Sequence, residues 1–314
     1  MRPTCVEAVR LGCTVLWQPK AGSSEAEYED AWHAPDGGTW AHALTVAVAD
    51  GASESMLAGA WAADLARAVG ALAGRDLDAG VFAERICAAA ARWPVRVKRY
   101  IRRRQRAGRP LAWYEEAKVG QGAYATLLGV SFRSAEASVP EPPEHGGGGT
   151  WTAAALGDTC CFQVRGSALV AAFPVLSSAD FDTGPHLAGT REPRRDLLEQ
   201  RTVTRRGTWL PGDVFYLATD AAAQWFLAGF EAGRRPWREL DAAMSEPDPS
   251  RWLDTLRAER RIRNDDVTVL RCVPQMGMGM GMGMGTGTGT DAGTDAVAGT
   301  VAGTVTRARP GPVA

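Results

Sequence analysis

The stretch LTVAVADGASES, Leu44 to Ser55, decides how the rest of the chain is read. Apolar and β-branched residues run straight into a carboxylate, Asp50, followed by Gly51 and small polar residues. Such a run predicts a short strand covered on both faces. A charge at the end of a buried strand is costly unless it is paired or bound to a cation. The glycine after it predicts a tight turn, or a close approach of another group to the main chain.

The same pattern recurs outward from this stretch. VFYLATDAAAQW carries an apolar strand into Thr219 and Asp220, and RRIRNDDVTVLRCV sets Asp265 and Asp266 just before a β-branched strand. SEAEYEDAWHA places Glu27, Glu29 and Asp30 near the end of an expected strand, and AALGDTCCF adds Asp158. Taken alone, Asp158 reads as a turn residue, and Asp50 and Asp220 also suit helix N-caps. Gathered in one place, such acids would raise one another's pKa. A hard divalent ion, Mg²⁺ or Mn²⁺, removes that penalty through oxygen donors. His33 and His42 have no partner at metal-ligand spacing, which argues against zinc.

The strand-like runs LTVAVAD, ATLLGVSF, TAAALGD, CCFQV, SALVAAF, DVFYLATD and DVTVLRCV are not joined by regular helical crossovers. CCFQVRGSALVAAF reads as a hairpin. An α+β protein with mostly antiparallel sheets follows, its strands covered by helices on one side and a second sheet on the other. Helical patterns lie in SMLAGAWAADLARAVGALAG, AGVFAERICAAAARWPVRVKRYIRRRQRAG, AAAQWFLAGFEAG and PSRWLDTLRAERRI, with Pro94 expected to kink or split the second. Composition changes after Pro274, so residues 1–274 form the expected domain. Residues 275–314, rich in Gly, Met and Thr, are read as a disordered low-complexity tail.

Of the 314 residues, 35 are Lys or Arg and 36 Asp or Glu, so net charge points to neither a nucleic-acid nor a membrane partner. The six cysteines form no CxxC and read as reduced core residues of a cytosolic protein. No apolar run is long enough to span a bilayer, and charges at Arg2, Glu7 and Arg10 break any leader-like run. A soluble, cytoplasmic protein is expected.

Six motifs in order, EYEDAW, VAVADGASES, GAYATLLGV, ALGDTCCF, YLATDAAAQW and NDDVTVL, resemble the PPM-type metal-dependent protein Ser/Thr phosphatases, the protein phosphatase 2C family, in its bacterial branch. The resemblance spans roughly residues 15–273. It implies a four-layer αββα sandwich with two Mn²⁺ or Mg²⁺ ions at one edge, in a channel between the sheets. It also implies a phosphoric monoester hydrolase in which a metal-bridging water or hydroxide attacks phosphoserine or phosphothreonine in line. By the same resemblance Asp50 would bridge two metals and Gly51 would offer its carbonyl to one. Asp220 and Asp265 would bind the other. Glu29 and Asp30 would hold metal-bound waters or touch a metal, making Asp50, Asp30 and Glu29 the catalytic set. Asp266 stands where the family often has Asn. The phosphate-clamping Arg of many members is missing near Glu25, with Lys20 the nearest cation, and Ala52 replaces the eukaryotic His. The implied partners are phosphorylated proteins, a Ser/Thr kinase or its targets.

Two other signals compete. VGQGAYA formally matches a dinucleotide fingerprint, but a strand rather than a helix follows it. RWPVRVKRYIRRRQRAGR, Arg92 to Arg109, is densely basic. It reads as a solvated face, as a docking helix for a phosphoprotein, or as a nucleic-acid contact. The docking reading supports an alternative function, a catalytically weak phosphatase-like binding module.

Overall fold

The computed structural model describes residues 6–72, 76–134, 147–181 and 184–279. The strands are β1 (Val6–Gln18), β2 (Ala31–His33), β3 (Ala43–Gly51), β4 (Tyr124–Ser134), β5 (Gly149–Leu156), β6 (Cys160–Arg165), β7 (Ala168–Phe173), β8 (Ala188–Gly189), β9 (Val203–Trp209), β10 (Val214–Ala218) and β11 (Val267–Gly279). The helices are α1 (Ala58–Gly70), α2 (Ala79–Arg106), α3 (Trp113–Gln121), α4 (Arg195–Arg201), α5 (Asp220–Glu231), α6 (Pro236–Ser245) and α7 (Ser250–Ala258). One sheet has the order β1-β11-β10-β6-β7 and the other β2-β3-β4-β5-β9, with β8 paired to β4. Every named strand pair is antiparallel.

The side-chain alternation of β3 shows why the sheets stack. Val46 and Val48 point into the space between the sheets, with Leu128, Val130 and Phe132 of β4. They meet Leu11, Phe215, Leu217 and Leu270 of the first sheet there. Phe132 and Phe215 cross edge-to-face with centroids 4.8 Å apart, a favoured aromatic geometry. Ala47 and Ala49 point the other way, onto Trp61, Leu65 and Val69 of α1 and Phe82, Ile86 and Trp93 of α2. Large residues thus fill the inter-sheet layer, and small ones let the helices lie close. On the far side, Phe162, Tyr216 and Val269 pack against Trp225 and Phe226 of α5, Trp237 of α6 and Leu253 of α7. The result is the four-layer αββα sandwich of two antiparallel sheets that the resemblance implied.

The chain departs from expectation at three places. First, β11 continues to Gly279, so the boundary expected after residue 274 falls inside a strand paired with β1. The Met-Gly alternation has the strand period of two. Met276 packs on the inter-sheet core, and the missing side chain of Gly277 leaves room for the Trp40 ring, whose six-membered part would lie 2.4 Å from a Cβ there. The remainder of the expected tail, from residue 280, lies outside the described residues. Second, α2 is not split at Pro94 but runs through it for 28 residues. The preceding Trp93 packs edge-on against Trp61 at 5.4 Å, which holds the turn in place. Third, Glu29 and Asp30 precede β2 rather than end a strand.

Other readings hold. Cys160 and Cys161 face opposite layers, and the described cysteines are free thiols. The segment after Gly120-Gln121-Gly122 is strand β4, not a helix. Among the described residues, no helix is long and apolar enough to cross a membrane.

Candidate functional site: an acidic edge of the sandwich

Strand register explains how acids far apart in sequence meet. In the first sheet Ala218 of β10 pairs with Val269 of β11 and Cys160 of β6, which puts the end of β10 beside the starts of its neighbours. In the second sheet Ala49 pairs with Ala31 and Leu127, and Leu127 with Leu156. Asp220 therefore follows one row by two residues, and Asp265 precedes β11 by two. Asp158 lies in the β5–β6 turn, Asp50 one residue beyond Ala49, and Asp30 one residue before Ala31.

Asp30 is the most buried of them, with no exposed surface. Its Oδ2 accepts hydrogen bonds from Thr219 Oγ1 at 3.0 Å and Thr268 Oγ1 at 2.9 Å. The Tyr28 hydroxyl in turn meets Thr268 Oγ1. Asp30 Oδ1 is buried without a hydrogen-bond partner among the described residues. Burial holds the Asp30 carboxyl well above the usual carboxylate range, and the charges of Asp266 and Asp220 push it further. The Asp50 carboxyl is likewise well raised, by desolvation first and then by Asp30, Asp220, Asp158 and Asp265. Asp220 is raised by burial, with Arg263 opposing and Asp265 adding to the shift. Glu29 is raised by burial, while Ser53 and Lys20 pull it back. Like charges drawn together from distant segments thus lack full compensation from the protein itself.

The turns that carry these acids are tightly built. A Cβ on Gly51 would lie 2.7 Å from the Glu29 carbonyl oxygen and 2.9 Å from the Ala58 carbonyl carbon. One on Gly59 would lie 2.8 Å from the Tyr28 carbonyl oxygen. The start of α1 therefore seats directly on the Glu29–Asp30 segment. Asp266 has a different task from its neighbour. Its Oδ1 accepts from the Lys20 amide at 2.8 Å and its Oδ2 from the Glu29 amide at 2.7 Å. It clamps the loop that delivers Glu29 and Asp30.

Asp30, Asp50, Asp220, Asp265 and Glu29 are thus brought within electrostatic reach of one another, with the Gly51 main chain beside them. Glu27 is not among them: exposed, it caps its own turn through Ser24. Among the described residues, no three His, Cys, Asp or Glu side chains converge closely enough to hold a metal ion as they stand. One cation is instead supplied by the chain, since Arg263 pairs with Asp220. The oxygen-only donor set and the unpartnered Asp30 Oδ1 nonetheless fit a hard divalent ion.

Sequence reading missed Arg263, Thr219, Thr268 and Tyr28. Arg263 lies two residues before Asp265 in a quoted stretch, and its nearness to the acids was the available signal. The threonines carried none, because their contacts to Asp30 span the whole fold. Lys20, noted only as the nearest upstream cation, does reach the site: its Nζ lies 3.4 Å from Ser53 Oγ.

No protein-family model and no curated protein matches the chain. Solved structures do. The chain is similar to PppA, a key regulatory component of T6SS in Pseudomonas aeruginosa, at 14% identity over 86% of this chain and 100% of that one, TM-score 0.47. It is similar to the catalytic domain of the serine threonine protein phosphatase PstP, solved in complex with two manganese ions, at 15% identity over 86% and 99%, TM-score 0.47. The phosphatase domain of SpoIIE from Bacillus subtilis gives 12% identity over 90% and 100%, TM-score 0.40.

Proposed function

We propose that the acidic edge is a divalent-cation site at which phosphoserine or phosphothreonine on proteins is hydrolysed, in a Mn²⁺- or Mg²⁺-dependent reaction. The observation that supports this most is the convergence of Asp50 with Asp30 and Asp220, whose carboxyls are raised by burial and by neighbouring carboxylates, Asp265 among the charges that act on Asp50 and Asp220. Asp50, Asp30, Asp220, Asp265 and the Gly51 carbonyl would hold two ions. When bound, the ions would neutralise the site, lower the pKa of water and offset charge on the phosphoryl oxygens.

The chain's own residues do the rest. The Thr219 and Thr268 hydroxyls fix Asp30 by one oxygen and leave the other free to accept a proton or orient water. Asp266 holds the Glu29 main chain, and so the direction of its side chain. Lys20 and Arg263 bring positive charge to the mouth of the site, where an anionic phosphate would enter. The test is release of phosphate from a phosphothreonine peptide with Mn²⁺ added. Turnover is expected in wild type and loss of at least about a hundredfold in Asp50→Asn, the scale of removing one electrostatic stabiliser. Turnover that survives both EDTA and this substitution would exclude the reading.

The Arg263–Asp220 ion pair favours a second reading, a phosphatase-like module with little turnover. Mn²⁺ binding without phosphate release would select it.

A further inference from the structure

A groove of about 700 Å³ runs between α1 and α2, on the outer face of the helical layer. Five arginines line it, Arg67, Arg85, Arg92, Arg96 and Arg99, against a single carboxylate, Asp64. The arrangement follows from helical spacing. On α2 the arginines recur at intervals of seven, four and three residues, one stripe of the helix. The neighbouring stripe, with Phe82, Ile86 and Trp93, is buried against the sheet. Asp64 is shared, bonded to Arg96 at 2.6 and 2.5 Å and lying 3.7 Å from Arg67. Arg92 and Arg99 are exposed; Arg85 pairs with the neighbouring Glu84 at 3.3 Å, and its buried Nε has no hydrogen-bond partner among the described residues. The floor is apolar, with Ala68, Leu72 and Ala89, and Val95 stands 61% exposed at its rim.

We infer that this groove docks an acidic segment of a partner protein. Guanidinium groups in excess call for carboxylates or phosphates, which they hold in paired hydrogen bonds. The alanine floor and Val95 accept a small apolar side chain between the acids. Single-stranded nucleic acid is a poorer match, because no aromatic ring lines the groove to stack a base. The chain as a whole carries a net charge of −1, so it lacks the broad positive field of a nucleic-acid binder.

The structure places this function in the first half of the basic stretch Arg92 to Arg109, not at the consecutive arginines Arg102 to Arg104. Arg104 is committed to an internal joint: it donates to Glu115 at 3.1 and 3.2 Å, to Tyr100 at 3.1 Å and to the Arg109 carbonyl at 2.8 Å. It ties the end of α2 to the start of α3. The groove instead lies along α1, whose first residue, Ala58, abuts Gly51. Asp64 is six residues further on, about 9 Å along the helix axis. A partner held there would lie on the helix whose first turn abuts the acidic edge. Docking itself does not depend on hydrolysis at that edge.

The test uses the full chain and a fluorescein-labelled peptide, Glu-Glu-Asp-Leu-Glu-Glu-Asp, with its Gln/Asn counterpart as control. Fluorescence anisotropy should show binding of the acidic peptide only, weakening with added salt. The double variant Arg92→Glu with Arg99→Glu should lose on the order of tenfold or more in affinity. Arg102→Glu with Arg103→Glu should bind as wild type does. Arg92→Gln with Arg99→Gln should give an intermediate loss, which covers the case that charge reversal disturbs folding. The inference is overturned if the acidic peptide does not bind, or if the 92/99 variants bind unchanged. It is equally overturned if the 102/103 variant is the one that fails. Tighter binding of single-stranded RNA or anionic vesicles than of the peptide, lost in the same 92/99 variants, would assign the groove to that ligand instead.

Discussion

Thr219 Oγ1 donates a hydrogen bond of 3.0 Å to Asp30 Oδ2 across 189 positions of the chain. The contact joins the end of β10 in one sheet to the residue that precedes β2 in the other. It turns a buried aspartate into a fixed object with one committed oxygen and one free. Replacing Thr219 by Val keeps the shape and removes the donor. The expected cost is about 1–3 kcal/mol, because the carboxyl stays buried with one bond fewer and the Thr268 amide, which donates to Thr219 Oγ1 at 2.9 Å, loses its acceptor. Urea unfolding measures it. A cost near zero would mean that the hydroxyl does not hold Asp30.

Crowded carboxyls also set a pH dependence. In the folded chain Asp30, Asp50 and Asp220 have raised pKa values, so between the ordinary aspartate value, about 3.9, and the raised values the folded state binds more protons than the unfolded one. Stability from these groups is therefore present at acidic pH and lost as pH rises through that window. Asp50→Asn removes the burial penalty for a charge. In EDTA this variant should be more stable than wild type at neutral pH, with the gap narrowing as the buffer is acidified. Thermal melts across pH test the sign. A variant less stable than wild type at neutral pH would contradict it.

Gly51 has no room for a side chain. Main-chain atoms of Glu29 and Ala58 lie 2.7 and 2.9 Å from where a Cβ would stand, and neither can swing aside. Gly51→Ala should cost about 1–3 kcal/mol, the scale of overpacking, and should displace the start of α1 from the Glu29–Asp30 segment. Chemical denaturation reads the first effect and loss of Mn²⁺ affinity the second. A neutral substitution would show that the turn is looser than these contacts require.

Arg263 and a divalent ion would compete for the Asp220 carboxylate. The Arg263 side chain is 43% exposed, so solvent screens the pair and its worth is about 1 kcal/mol at most. Arg263→Ala should then bind Mn²⁺ up to about fivefold more tightly than wild type. Weaker binding in the variant would assign Arg263 a supporting role rather than a competing one.

The buried thiols of Cys160, Cys161 and Cys272 should be silent in the native protein. Burial pushes Cys160 up, and takes Cys161 up to about 12. Cys272 is raised well above its usual range, first by its contact with Cys13, whose sulfur lies 3.6 Å away, and then by burial. A thiol-reactive dye at neutral pH should label these residues only after unfolding. Rapid labelling of Cys160 or Cys161 in the native state would contradict the packing described.

What the sequence disclosed, and what it withheld, divides by range. Asp50 and Gly51 at the end of β3, Asp220 at the start of α5 and the β6–β7 hairpin are local patterns, and each stands where its periodicity and turn residues put it. The two-sided burial of β3 was legible because both faces of LTVAVA are apolar. The threonines that hold Asp30 were not, since nothing near Thr219 or Thr268 in sequence refers to a residue two hundred positions away. Asp266, standing where the family often has Asn, was given no role by the sequence; its carboxylate accepts from the amides of Lys20 and Glu29. Composition misled at the C-terminal boundary, where pairing with β1 outweighs the glycine content of residues 275–279. The docking groove needed the structure as well, because one wall of it comes from α1 and the residues just after it.

The central claim is that the acids converge to hold divalent ions, and Mn²⁺ binding tests it most directly. Electron paramagnetic resonance on the full chain, titrated with Mn²⁺, should show bound ion in wild type and a marked loss in Asp50→Asn. Absence of bound Mn²⁺ in wild type, or binding unchanged in the variant, would contradict the account.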